Sequence, residues 1–198
     1  MRRAAEAWRA RIPTSPIPAD AAIVEALLNL NLTNEAMPII EGHLAALRAD
    51  RSFGAALRPV AAHVLARMGR HADARTILED TLDIPTCRDA WIDCALLSEN
   101  LAAAGDQLEL LTPAGNNLDR SLRLSLAIAW ARLADRFGDE TSLQRATALL
   151  EPLAAQDDAV ILLRLGQLRL RDGRLDDAER FLRRSAELDP ANADTLNN

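Results

Sequence analysis

Residues 159–190 read AVILLRLGQLRLRDGRLDDAERFLRRSAELDP, and this stretch decides the fold. Leucines recur every three or four residues up to Arg171, which predicts an amphipathic helix. Gly173 then interrupts the pattern, because glycine accepts the left-handed backbone that ends helices. A second helix is expected from Leu175 until Pro190, which cannot continue a helix. The stretch therefore predicts two helices joined by a tight turn.

Small residues and charges in the same stretch indicate how the two helices meet. Gly166 has no side chain and allows close approach, and Ala178 is placed where the helices cross. Asp176 and Asp177 suit the positive first turn of the second helix. The expected buried stripe consists of Leu162, Leu165, Leu168, Leu170, Phe181, Leu182 and Leu188.

The spacing of Leu165-Gly166, Gly173, Ala178 and Leu188-Asp189-Pro190 resembles that of a tetratricopeptide repeat, a helix pair of about 34 residues. Similar blocks occur upstream, roughly 33 to 38 residues apart. Gly69 and Ala74 match Gly173 and Ala178 in the block 60–82, and Gly138 and Ala146 match them in 124–156. A weaker copy, with Asn31 at the turn, covers 18–48.

The block from Asp89 to Asn117 is degenerate. Its first helix is expected to contain Trp91, Cys94, Leu97 and Leu101 and to end at Gly105. Pro113 and Gly115 would cut the second helix short, and Leu110 stands where a small crossing residue is expected.

The resemblance implies an all-α, right-handed solenoid of antiparallel helix pairs. Its segments are 1–17, an N-terminal helix with a proline-rich linker, and 18–198, the solenoid. The repeats fall at about 18–50, 55–88, 89–119, 124–158 and 159–192, with the start of a further repeat at 193–198. The open C-terminal end would expose apolar surface, so the chain is expected to be a fragment of a longer protein or to self-associate there. Trp8 could dock onto the first repeat or onto a partner.

Composition excludes several classes of function. All 23 basic residues are arginine, so the chain has neither a Schiff-base lysine nor a phosphate loop of the G-x-x-x-x-G-K-[ST] type. Strands of alternating polarity and membrane-spanning apolar runs are absent from the sequence. The first eighteen residues lack the apolar core of a secretory signal. We therefore expect a cytoplasmic protein, and the arginine bias is typical of a bacterium with a GC-rich genome.

The cysteines and histidines do not suggest a catalytic or metal site. Cys87 and Cys94 lie two helical turns, about 10 Å, apart, too far for a disulfide within one helix, and the region offers too few ligands for zinc. His43 and His71 are expected on second helices, and His63 has no catalytic partner at recognisable spacing. We expect no cofactor, no metal and no reaction centre.

In the family that the chain resembles, first helices line a concave groove that binds peptides. The corresponding positions here are His63, Arg67, Arg132, Arg136, Gln167 and Arg171, with Glu99 and Ala103 in the degenerate block. Arg67, Arg136 and Arg171, reinforced by Arg132, would form a positive ladder on a chain of net charge −6. Guanidinium groups bind carboxylates in a bidentate manner, which favours an acidic peptide. A solvated row of arginines at helix ends is the alternative.

The sequence thus predicts a protein-interaction scaffold whose partner is a protein or peptide. The lysine–asparagine clamp that binds chaperone tails in this family is not supported, because Leu163 and Gln167 occupy the corresponding positions. The alternative is the repeat arm of a larger enzyme, such as a glycosyltransferase, that presents substrate to a separate catalytic domain. RNA binding is disfavoured by an isoelectric point near 5.1 and 3% aromatic residues.

Overall fold

The computed structural model describes residues 17–112 and 118–190, and within them the fold is all-helical. Its contacts divide the chain into two compact units, with the boundary between Ser98 and Glu99. We call them unit 1 and unit 2. Within each unit, consecutive helices pack as adjacent pairs, as the sequence predicted. No helix in the described ranges is long and apolar enough to cross a membrane.

Between residues 17 and 98, unit 1 contains two helix pairs and a fifth helix. Helix α1 packs against α2, α3 packs against α4, and α3 also contacts α1 and α5. A short 3-10 helix, Glu79–Thr81, follows α4. The helix bounds are α1 Ile17–Asn29, α2 Thr33–Ala49, α3 Leu57–Arg67, α4 His71–Leu78 and α5 Pro85–Leu97.

Unit 2 begins with a short helix and continues with two pairs. Helix α7 packs against α8, and α9 packs against α10, while α6 contacts α7. A 3-10 helix, Glu151–Gln156, leads from α8 to α9. The helix bounds are α6 Leu101–Glu109, α7 Arg120–Phe137, α8 Glu140–Leu150, α9 Ala159–Arg171 and α10 Leu175–Leu188.

The turns expected from the sequence are present in the helix pairs. Gly69 and Gly173 have φ of 74° and 71°, so both adopt the left-handed conformation that the turn requires. The backbone then closes in the same way at both places. The amide of Arg70 donates to the carbonyl of Leu65 at 2.8 Å, and that of Arg174 donates to Arg169 at 2.9 Å. Each of these hydrogen bonds joins an amide to the carbonyl five residues earlier in the chain. It satisfies a carbonyl that the end of the helix would otherwise leave unpaired.

Close packing at Gly166 has a direct geometric explanation. A Cβ atom at this position would lie 2.6 Å from Cγ of Leu182 on α10. Ala178, on the same helix as Leu182, is fully buried. The predictions for Gly166 and Ala178 are therefore confirmed, since larger side chains would push α9 and α10 apart.

The buried stripe differs from the expected one at its ends. Leu170 and Leu188 are 37% and 39% exposed, whereas Arg169 is only 5% exposed. Arg169 follows Leu165 by four residues, which places both on the same helix face. Its guanidinium ion-pairs with Glu151, a partner 18 residues earlier in the chain that the leucine pattern does not reveal.

The degenerate block requires a correction. The first helix ends at Leu97, and Gly105 lies inside the next helix. Asn100 starts α6 because its side chain accepts a hydrogen bond from the amide of Ala103. Gly105 is buried against Trp130, and a Cβ atom added at this glycine would lie 3.3 Å from the indole ring. The small buried residues of α6 are thus Gly105 and Ala104, whereas Leu110 is exposed.

Two further details concern the ends of helices. Ile17, which was assigned to the linker segment 1–17, is the first residue of α1. Asp158 caps α9, because its side chain accepts hydrogen bonds from the amides of Val160 and Ile161. Asp157 does not cap that helix. It has a φ of 49° and accepts two hydrogen bonds from the Arg184 guanidinium.

The remaining predictions about local structure divide into two groups. Trp91 and Trp130 are core residues, as expected, with 0% and 3% exposure. Trp8 and the N-terminal helix, Pro113, Gly115 and the start of a further repeat at 193–198 lie outside the described residues.

Candidate functional site

Unit 2 contains a cavity of about 240 Å³ between α7 and α9. Each helix presents to it residues spaced three or four apart, which is the period of one helix face. The polar lining consists of Arg132, Asp135, Arg164, Gln167 and Arg171. The apolar lining consists of Ala127, Ile128, Ala131, Leu150 and Leu168. We call this cavity the basic groove.

Three arginines face the basic groove, but only one of them is neutralised by an acid. Arg171 ion-pairs with Asp135 at 2.9 Å. Arg164 donates to the amide oxygen of Gln167 at 2.9 Å. Arg132 is exposed and has no hydrogen-bond or ion-pair partner among the described residues. The lining therefore carries an excess of two positive charges.

Arg164 also has an unsatisfied donor. Its Nε is buried, and no atom of the described residues accepts its hydrogen. A buried donor without a partner destabilises a protein by about 1–3 kcal/mol. An anionic group entering the basic groove would face this guanidinium and Arg132 together.

The basic groove contains only part of the predicted site. Arg132, Gln167 and Arg171 line it, but Arg136 does not. The guanidinium of Arg136 lies over the ring of Phe137, 5.1 Å from the centroid. The sequence missed Arg164 and Asp135, although both lie three residues from a predicted position and hence on the same helix face.

His63 and Arg67 line a different cavity, which lies in unit 1. It has a volume of about 360 Å³ and lies between α1, α3 and α5. Its acidic lining residues are Glu25, Asp89 and Asp93. We call it the acidic groove, because the three carboxylates outnumber the single guanidinium of Arg67. Arg67 thus lies in an acidic groove, whereas Arg132 and Arg171 lie in a basic one.

Two predicted positions do not belong to a first helix. Glu99 lies in the connection between α5 and α6, and Ala103 lies in the first turn of α6. They were assigned to a first helix because Gly105 was taken as its end. The capping of α6 by Asn100 separates them from α5.

The cysteines and histidines lie where the sequence placed them. Cys87 and Cys94 are buried and unpaired in α5, and burial raises the pKa of Cys94 to about 12. His43 on α2 contacts Asp20 on α1 at 2.8 Å. No group of three or more potential metal-ligating side chains occurs among the residues that the structure describes.

Comparisons with known proteins give no further assignment. No protein-family model matches the chain. A search of curated proteins also found no match. The functional interpretation therefore depends on the geometry and charge of the two grooves.

Proposed function

We propose that the chain is a protein-interaction module built from tetratricopeptide-like helix pairs, and that its basic groove binds an acidic peptide segment. Three features support the repeat assignment. Helices pack as consecutive pairs, the turns at Gly69 and Gly173 share one backbone geometry, and Gly166 is required for close packing. A right-handed solenoid is the arrangement that this repeat type implies.

The observation that carries the binding proposal is the unbalanced charge of the basic groove. Arg132 has no partner in the described part of the chain, and Arg164 has a buried Nε without one. A carboxylate of a bound segment would pair with the exposed guanidinium of Arg132 through charge-assisted hydrogen bonds, and the positive charge of Arg164 would add to the attraction. Ala131 and Leu168 lie beside these charges and provide apolar contact for the rest of the segment.

Asp135 has a specific role in this proposal. It forms an ion pair with Arg171 in the free protein, so it competes with the carboxylate of a ligand for the same guanidinium. Removing the charge of Asp135 is expected to tighten binding, whereas removing the charge of Arg132 is expected to weaken it. If the basic groove is only a solvated surface that binds no peptide, neither substitution will change peptide binding.

The test is a selection of random nonapeptides on the full chain, followed by affinity measurements on the enriched peptides. We expect Asp and Glu to be enriched. Arg132→Gln should weaken binding by up to about fivefold, the equivalent of one exposed ion pair. Asp135→Asn should tighten it.

Arg183→Gln is the matched control, because it removes an exposed arginine of unit 2 that does not line the basic groove. It should leave the affinity unchanged. A selection that does not enrich acidic peptides, or equal losses for the Arg132 and Arg183 variants, would refute the assignment of the groove.

A further inference from the structure

The acidic groove of unit 1 contains three carboxylates that have no role in the proposed function. Its carboxylates come from two helices, with Glu25 on α1 and Asp89 and Asp93 on α5. Asp89 and Asp93 are four residues apart, so they lie on one face of α5. Glu25 and Asp89 have no hydrogen-bond or ion-pair partner among the described residues.

The groove contains little positive charge to oppose these carboxylates. Arg67 has its polar contact with the amide oxygen of Asn31, at a distance of 3.4 Å. His63 is half-buried, and this burial lowers its pKa, an effect that the nearby charge of Asp93 opposes. The imidazole is therefore mainly neutral near pH 7 and can accept a hydrogen bond.

Apolar side chains provide the remainder of the lining. Leu28, Pro59, Val60 and Ala90 contribute to the walls of the groove. Arginine and lysine side chains bury their aliphatic portion against apolar surface while the charged end contacts polar groups. A groove that combines such walls with three carboxylates matches this type of side chain.

The carboxylates do not form a metal site. Among the described residues, no three side chains that can ligate a metal converge. The complementary ligand is therefore an extended organic cation. We propose that the acidic groove binds an arginine or lysine side chain of a partner peptide, with Glu25 and Asp89 as its main charged contacts.

The test uses two pools of synthetic nonapeptides whose eight outer positions are random among uncharged residues only, so that neither pool contains the acidic residues that the basic groove is proposed to bind. The central residue is arginine in one pool and citrulline, its neutral isostere, in the other. The full chain should be retained by the arginine pool and not by the citrulline pool. Glu25→Gln and Asp89→Asn should each weaken binding of a retained peptide by up to about fivefold.

Controls separate this proposal from a general charge effect. Glu79→Gln removes an exposed carboxylate of unit 1 outside the groove and should leave the affinity unchanged. Arg132→Gln should also leave it unchanged, because that residue belongs to the basic groove. Glu25 and Asp89 are exposed, and circular dichroism will verify that their variants keep the helical fold.

Three results would overturn the proposal. The first is equal retention by the arginine and citrulline pools. The second is an equal loss of affinity for Glu79→Gln and Glu25→Gln. The third is a dimer of the full chain in sedimentation that Glu25→Gln dissociates, because the occupant would then be a second copy of the chain.

Discussion

Gly166→Ala tests the packing of unit 2 most directly. The added Cβ would lie 2.6 Å from Cγ and 2.7 Å from Cδ2 of Leu182. Rotation of the leucine does not remove the conflict, because the backbone nitrogen of Leu182 is 3.3 Å from the same Cβ position. Overpacking of this kind costs about 1–3 kcal/mol.

The same substitution also removes a glycine from a helix interior, which stabilises a helix by about 0.5–1 kcal/mol. Gly42→Ala isolates this second contribution. Gly42 lies within α2 and is exposed, and a Cβ there would have no atom within 4 Å. We expect Gly42→Ala to stabilise the protein and Gly166→Ala to destabilise it. The difference between them equals the overpacking cost of about 1–3 kcal/mol.

The assay is urea unfolding followed by circular dichroism, with each variant compared with the unmodified chain. The pair Gly166→Ala and Leu182→Ala adds a double-mutant cycle. The alanine at 166 should be tolerated better once the leucine is truncated, giving a coupling energy of about 1 kcal/mol or more. If Gly166→Ala stabilises as much as Gly42→Ala, then α9 and α10 do not approach as closely as described.

Three further predictions concern polar contacts. Arg58 is buried, and its guanidinium donates to the carbonyls of Asp50, Phe53 and Ile77. Arg58→Met should destabilise unit 1 by about 1–3 kcal/mol in urea unfolding, because it leaves the buried carbonyl of Ile77 unpaired. Arg51→Met, at an exposed ion pair, should cost less than about 1 kcal/mol. Asp158→Ala should lower the free energy of unfolding by about 1 kcal/mol through loss of the α9 cap. Asp176→Ala, which removes an exposed carboxylate that is not a cap, should lower it clearly less. Equal losses of stability would contradict the capping role. Hydrogen bonds from a guanidinium lower the pKa of Asp157 below 3.8, so its stabilising contact is complete above that pH and is lost as the pH falls through the lower folded value. Asp157→Asn should therefore reduce the midpoint of unfolding at about pH 6, and this difference should shrink as the pH falls below 3.8.

The sequence predicted the helix pairs well because their determinants are local. Glycine at a turn and a leucine every three or four residues act within one or two turns of helix, as at Gly69 and Gly173. The boundary between α5 and α6 was missed for the same reason. Glycine commonly ends a helix, so Gly105 was interpreted as a helix end. In the structure it lies inside α6, where its lack of a side chain leaves room for the distant Trp130.

Buried arginines and the composition of the grooves also depend on distant partners. Arg58 is only 2% exposed, yet the sequence near it shows no sign that its bonding partners include the carbonyl of Ile77. In the grooves, Arg67 and Arg171 were predicted because they correspond to the inward positions of the repeat family that the chain resembles. The sequence did not indicate that Arg171 meets Asp135 and that Arg67 shares a groove with three carboxylates, because these neighbours come from other turns or other helices.

Arg58 has a consequence for how unit 1 unfolds. Its guanidinium donates to the carbonyls of Asp50, Phe53 and Ile77, which belong to the turn after α2 and to the end of α4. If either segment opened alone, the buried guanidinium of Arg58 would lose some of its hydrogen-bond acceptors. The helices α2, α3 and α4 are therefore expected to exchange their amide hydrogens with a common opening free energy, as one cooperative unit.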